Sequence, residues 1–232
     1  MNEKTIWEFL IGKTGNPYGT AAIMGNLMAE SSLNPLCATG LKKAGYNSVD
    51  QYVKDSDDGK HDFANDGVAF GLAQWCYHTR KELLLDFAKR YKKSVGSLDI
   101  QLVYLVWEMQ NKYKTAWNAV VNAADIRNAS DVVMLKYEKP ANTGDAAKQK
   151  RAAYGQKFYD QFAEGETEMP ETAGKKKVVA TEAVNIRTGN GKTYTKVGVL
   201  KKDASAEWLE TKDGWYKIAL WVSADYAKLE KA

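Results

Sequence analysis

"AIMGNLMAESSLNP", residues 22–35, sets apolar residues at helical spacing: Met24, Leu27 and Met28, with Ala21 just before, and it ends in Asn34-Pro35. Residues three and four apart share one face of a helix, and a proline drives the residue before it out of helical conformation. The spacing therefore predicts a helix from about Pro17 to Ser32. That helix would place Ala21, Met24, Leu27, Met28 and Ser31 on one buried stripe, with Glu30 on the flank where the stripe meets solvent. A carboxyl on such a flank can line a cleft wall, and apolar surroundings are what a proton-donating carboxyl needs near neutral pH. The plain alternative is a solvated glutamate in a last helical turn. Taken alone, the helix favours that plain alternative.

Outward from this segment the same periodicity recurs. It is carried by Trp7, Leu10 and Ile11; by Leu83, Leu84, Phe87, Ala88 and Tyr91; and by Leu102, Leu105, Val106 and Met109. Val132, Val133, Leu135 and Tyr137 suggest a further short helix, and Ala153, Tyr154, Phe158 and Phe162 a last one. Residues 1–163 read as a mainly α-helical domain. Residues 164–176, "EGETEMPETAGKK", have no apolar periodicity and the composition of a linker. From 177 to 232 the pattern changes to short runs rich in Val, Ile, Thr, Trp and Tyr, with turn signals at Gly189–Gly191, Asp203 and Asp213-Gly214. About five short strands in so short a stretch predict a small β-barrel. The expected fold class is thus multi-domain α + β.

Of the 232 residues, 44% are apolar and 27% charged, ordinary usage for a soluble globular protein. No apolar run approaches the roughly 20 residues of a membrane helix, so no membrane insertion is expected. The start, "MNEKTIWEFLIGK", lacks the basic, apolar and small-residue order of a signal peptide, which predicts synthesis in the cytoplasm. Cys37 and Cys76 are too few and too far apart for a disulfide scaffold or zinc site, and whether they pair is left open. No metal or cofactor is expected. The net charge of +4 is uneven: residues 175–232 carry 12 Lys and Arg against 7 Asp and Glu, and residues 1–174 carry 21 against 22. The basic end suits an anionic partner such as nucleic acid or a cell wall.

A second stretch, "DGVAFGLAQWC", residues 66–76, brings Gly71, Gln74 and Trp75 together before the basic segment "HTRKELLLDF". Glycine admits close backbone approach, a Gln amide donates and accepts, and an indole offers a stacking face. These are the furnishings of a carbohydrate cleft; the alternative is a buried turn with Trp75 as core. His61 and His78 beside Cys76 invite a cysteine-peptidase reading, but the helix start that activates such a thiol is missing.

Together, "AIMGNLMAESSLNP" and, about forty residues on, "GVAFGLAQW" resemble the phage tail lysozyme family, related to goose-type lysozymes and lytic transglycosylases. The resemblance continues through "RKELLLDFAKRY", "SLDIQLVYLVWEM" and "YEKPANTGDAAKQKRAAYGQKFYDQF", covering roughly residues 4–163. It implies cleavage of the β-1,4 bond between N-acetylmuramic acid and N-acetylglucosamine in bacterial peptidoglycan. Glu30 of the Glu30-Ser31 pair maps to the catalytic acid, and Gln74 to the Gln of a Gly-x-x-Gln motif lining the cleft with Gly71. Asp66 is the first candidate for a second carboxylate and Asp62 the next, with the substrate's own acetamido group as the alternative. Asp55, Asp57 and Asp58 read as a solvated acidic loop. Ser31, Trp75, Tyr77 and Glu138 are further candidates for substrate contact. For Glu138, burial against Arg80 or Arg151 is the competing reading.

The end of the chain, "VNIRTGNGKTYTKVGVLKKDASAEWLETKDGWYKIAL" followed by "WVSADYAKL", resembles the bacterial SH3 family of cell-wall enzymes. That resemblance implies wall binding, with Tyr194, Trp215 and Tyr216 as contacts and Trp208 and Trp221 filling the barrel. The expected protein is a monomeric phage-type muramidase without nucleic-acid partners, reaching a Gram-positive wall through a holin-type pore or lysis. Its rivals are a lytic transglycosylase leaving 1,6-anhydro ends, and an inactive wall-binding or virion structural protein.

Overall fold

The computed structural model describes residues 2–163, 176–187, 189–208, 210–212, 214–218, 221–223 and 227–231. The chain divides into two compact units, Met1–Glu166 and Thr167–Ala232. Residues 164–175 of the expected linker lie outside the described residues.

The first unit is mainly helical: α1 (Glu3–Thr14), α2 (Pro17–Ser31), α3 (Val49–Asp57), α4 (His78–Tyr91), α5 (Leu98–Lys112), α6 (Lys114–Val121), α7 (Ile126–Val133) and α8 (Asp145–Phe162). A π-helical turn, Met134–Glu138, continues α7. The only strands described here are β1 (Ala38–Thr39) and β2 (Ala69–Phe70), antiparallel with Ala38 opposite Phe70.

α2 starts where the Asn16 side chain accepts from the Gly19 N–H at 3.0 Å, with Pro17 at the first helical position. It is buried on every side from Gly19 to Leu27 rather than along one stripe, and it packs against α1, α6, α7 and α8. Small residues make this possible. A Cβ on Gly25 would lie 2.3 Å from the Arg151 carbonyl oxygen, and one on Gly155 would lie 2.8 Å from the Ala21 carbonyl oxygen. The backbones of α2 and α8 therefore touch, bringing Arg151 alongside the end of α2. Ile6, Leu10, Met24, Leu27, Phe70, Leu72, Trp75, Leu84 and Leu105 form part of one shared core. Burial of each such side chain contributes roughly 1.5–3 kcal/mol before chain entropy is counted.

Two helices were not legible. α3 occupies ground read as acidic loop: Ser48 caps it by accepting from Gln51 N–H at 3.4 Å, and Tyr52 is its one fully buried aromatic side chain. Asp55 is engaged nearby, by Gln51 and Tyr46, and Asp57 by the distant Val95 N–H. α6 buries only Ala116 and Val120, too short a pattern to stand out.

The second unit holds β3 (Lys176–Ala180), β4 (Val184–Arg187), β5 (Lys196–Leu200), β6 (Ser205–Glu207), β7 (Glu210–Lys212), β8 (Trp215–Lys217), β9 (Trp221–Ser223) and β10 (Ala227–Lys231). They form a three-stranded sheet, β10-β3-β6, and a five-stranded sheet, β5-β4-β9-β8-β7. Left-handed residues at Asp203 (φ 64°) and Gly214 (φ 73°) sit at turns that divide the sequence runs, giving more and shorter strands than five. Val178, Ala180, Val184 and Ile218 are its buried centre, with Trp208 and Tyr216 packed against them. The side chain of Trp221 lies outside the described residues.

Candidate active site

Glu30 sits in the last turn of α2, half-buried, and its Oε1 accepts from Arg151 Nη2 at 2.6 Å. Arg151 is itself held from behind: Nη1 donates to Asn26 Oδ1 at 3.2 Å, and the Asn26 amide donates to Ser130 Oγ at 3.0 Å and to the Ala22 carbonyl. Asn26 is fully buried, so this chain fixes the guanidinium against one side of Glu30. The next residue, Ser31, is also buried. Its hydroxyl donates to the Leu72 carbonyl at 2.8 Å, tying the end of α2 to the second motif.

That motif is a tight turn on the small sheet. Phe70 and Trp75 exchange backbone hydrogen bonds at 3.0 and 2.9 Å, and the Gly71 N–H donates to the Cys37 carbonyl at 2.8 Å. Gly71 has φ 77°, and a Cβ there would meet the Gln101 side chain at 2.6 Å, so glycine is required twice over. Gln101, which the sequence reading missed, accepts from the Leu72 N–H and donates to the Pro35 and Val95 carbonyls. It is a fully buried amide that holds both motifs in register. Gln74 turns its amide inward: Nε2 donates to the Cys37 and Gly71 carbonyls, and Oε1 accepts from Thr39 at 2.8 Å.

Four of the five left-handed non-glycine residues described in this unit lie in these segments, the fifth being Lys92 at the end of α4. Ser32 (φ 55°), Leu33 (φ 58°), Gln74 (φ 45°) and Lys139 (φ 53°) adjoin Glu30, the turn and Glu138. Such conformations cost of order 1–3 kcal/mol each and collect where a site over-determines the backbone.

The other expected contacts separate into those the site can use and those it cannot. Trp75 has no exposed surface, and its Nε1 donates to Glu108 at 3.0 Å; it is core, and a sugar cannot stack on it. Ser31 likewise is committed to backbone. Asp66 stands in a closed network, accepting from Tyr52 at 2.7 Å, His61 at 2.9 Å, the Val68 N–H at 2.8 Å and the fully buried Lys81. Burial opposes its charged form, but the donors, Lys81 first, outweigh that and hold its carboxyl below the usual carboxylate range. Both oxygens are taken, which leaves Asp66 poorly placed to activate a water. Asp62 is exposed and accepts from Asn65. Tyr77 is 62% exposed at the start of α4. Cys37 and Cys76 are both free thiols.

The family model described as phage tail lysozyme matches residues 1–162. The chain belongs to the phage tail lysozyme family. A second model, the bacterial SH3 domain, matches residues 182–228. Morphogenesis protein 1 of Bacillus phage B103 is 23% identical over 163 residues, covering 66% of this chain and 38% of that protein. The chain therefore spans well under half the length of that relative.

In this lysozyme-family domain the arginines are shared out in a way the sequence left open. Arg80 forms a two-pronged ion pair with Glu108, at 2.7 and 2.9 Å, and Glu108 also accepts from Trp75, Tyr104 and Tyr137. Arg151 pairs with Glu30. Glu138, at the end of the π-helical turn, pairs with neither: its Oε1 is shut from solvent and has no hydrogen-bond partner among the described residues, although the residue as a whole is half-buried. Burial pushes the Glu138 carboxyl up to about 8, with the Glu30 charge adding to the effect and Arg80 and Arg151 opposing it. In the SH3 unit, a groove of about 440 Å³ is lined by Glu182, Asn185, Arg187, Lys192 and Trp215. Tyr194 is 48% exposed, and the Arg187 guanidinium donates to its carbonyl at 2.8 Å. Tyr216 packs on the core instead. No described helix is long and apolar enough to cross a membrane.

Proposed function

We propose that the chain hydrolyses bacterial peptidoglycan as an N-acetylmuramidase, with Glu30 protonating the glycosidic oxygen between N-acetylmuramic acid and N-acetylglucosamine. The observation that carries this reading is the seating of Glu30. It ends a buried helix, stays accessible along its edge, and is joined through Ser31 and Leu72 to the turn that carries Gln74. A general acid needs that combination of fixed position and reach. With Asp66 engaged on both oxygens, the opposite face of the sugar falls to a water or to the substrate's acetamido group. The groove at Trp215, with Arg187 and Lys192 beside it, supports wall binding by the second unit, which raises the local concentration of the enzyme on its polymer. A wall-binding module of this kind fits a Gram-positive host, reached from the cytoplasm through a pore or at lysis.

Mass spectrometry of the products from purified Gram-positive walls tests this, comparing the parent with Glu30→Gln. Reducible muramic acid ends that disappear in the variant are expected. Anhydro ends would transfer the enzyme to the transglycosylases, and an undiminished variant would remove Glu30 from the chemistry. The similarity to a phage morphogenesis protein favours a second setting for the same activity, in the virion rather than at lysis. Detection of the chain in purified virions would decide for it.

A further inference from the structure

α5 ends at Lys112 and α6 begins at Lys114, and a cavity of about 510 Å³ opens between that junction and the π-helical turn. Among the described residues its walls carry Lys112, Lys114, Lys136 and Lys139, together with Tyr113 and the 39% exposed Leu135, and no acidic side chain. None of the four lysines stands in an ion pair with a described residue. Residues 1–174 carry 21 Lys and Arg against 22 Asp and Glu, so this is a local excess in a stretch whose charges nearly cancel. Helix electrostatics account for part of it. Lys112 and Lys136 close helical turns, where a cation faces free carbonyl groups, but Lys114 opens α6, the end that disfavours a cation, with no acidic residue in that turn. Lys139 lies 5.6 Å from the centre of the Tyr113 ring and Lys112 6.0 Å from that of Trp107. Aromatic faces thus steady two of the ammonium groups without neutralising them.

We propose that this cavity binds a phosphodiester polymer of the bacterial wall, of the glycerol phosphate kind, and gives the first unit its own hold on the wall. The choice of a wall polymer rests on the reading of the chain as a wall hydrolase. Charge complementarity selects an anion, and the donor set selects phosphate. A single planar carboxylate is matched best by the fork of an arginine, and no arginine is among the described lining residues. Four lysines are point charges on flexible stems, which suit repeating phosphates presented in many poses. Leu135 and Tyr113 offer apolar surface to the carbon links between those phosphates. Such a hold concentrates the enzyme on its polymer and leaves the bond-breaking step unchanged.

Calorimetric titration of the full chain with soluble glycerol phosphate oligomers at low salt tests this. Lys112→Gln, Lys114→Gln, Lys136→Gln and Lys139→Gln combined should bind at least about tenfold more weakly than the parent. All four side chains are exposed, so the variant keeps the fold. Replacing Lys13, Lys42, Lys43 and Lys89, four exposed lysines outside the cavity, by Gln should change binding by no more than about threefold. Equal losses in the two variants, or none in the first, overturn the site. Equal competition by poly-glutamate or by a DNA oligonucleotide of matched charge overturns the phosphodiester assignment. Wall solubilisation gives a second reading, on intact walls and on walls stripped of phosphodiester polymer by hydrofluoric acid. The cavity variant should lose at least about fivefold in rate on intact walls and no more than about twofold on stripped ones. A loss of the same size on stripped walls assigns the lysines to peptidoglycan itself and overturns the proposal. The reading of Glu30 fails separately: a Glu30→Gln variant that still cuts walls removes the muramidase, whereas only the cavity variant speaks to the binding of the oligomers.

Discussion

Asp66→Asn removes one charge from a buried ion pair while keeping the size of the side chain and one of its acceptor oxygens. Lys81 has no exposed surface, and among the described residues it donates, besides Asp66, to the Tyr52 hydroxyl and the Val68 carbonyl. Breaking a buried pair by removing one partner costs about 3–5 kcal/mol, because the remaining charge is left in a poor solvent. The retained acceptor places asparagine at the lower end, about 3 kcal/mol. For a unit of this size each kcal/mol moves the midpoint by about 2–4 °C, so the helical unit should melt roughly 6–12 °C lower. Calorimetry of the full chain reads the shift, and wall clearing well below the midpoint reads activity. The variant should cut at a rate within a few-fold of the parent there. A variant that melts with the parent, or one that is folded and inactive at low temperature, would refute the structural role and return Asp66 to the chemistry.

The same carboxyl sets an acid limit on stability. Its folded pKa lies below its unfolded value, so its contribution is complete above the ordinary carboxylate range and is lost as pH falls through the depressed folded value. Asp66→Asn should therefore flatten the acid side of the stability profile.

Gly25→Ala puts a methyl 2.3 Å from the Arg151 carbonyl oxygen; about 1–3 kcal/mol of overpacking and displacement of α8 should separate Arg151 from Glu30 and lower the rate at least about tenfold, read by wall clearing and calorimetry. Trp75→Phe deletes one donor to Glu108 and should cost about 2 kcal/mol in thermal unfolding, with KM for wall fragments unchanged. A raised KM would return Trp75 to the sugar. Trp215→Ala should weaken co-sedimentation with walls by about 2 kcal/mol, while cleavage of soluble fragments stays as in the parent.

Local pattern carried the reading of α2, the helical first unit and the change to β structure. It failed where meaning depends on distant partners. Trp75 looked like a stacking face because glycine and Gln74 surround it in sequence; Glu108, 33 residues away, claims its N–H. Asp66 is the first candidate for a second carboxylate because it is the aspartate nearest the Gly71–Gln74 turn in sequence, whereas Lys81 on α4 closes over it. Arg151 lies 121 residues from Glu30, and only the paired glycines at 25 and 155 hint that their helices touch. Gln101 gave no local signal, since its three partners come from separate segments.

The carboxyl groups around the site differ in how fully they are satisfied, and that difference separates support from chemistry. Asp66 accepts from four donors and Glu108 from Trp75, Tyr104, Tyr137 and both prongs of Arg80. A carboxylate so surrounded gains little from a proton and loses several hydrogen bonds by moving, so it stiffens the elements it joins. Glu30 has Arg151 on one oxygen, and Glu138 has an acceptor with no partner among the described residues. Of these four carboxyl groups, Glu30 and Glu138 are the less fully hydrogen-bonded among the described residues. The saturated pairs hold α4, α5 and the turn in place, and leave the end of α2 to be set by Arg151 and by the Ser31 bond to Leu72.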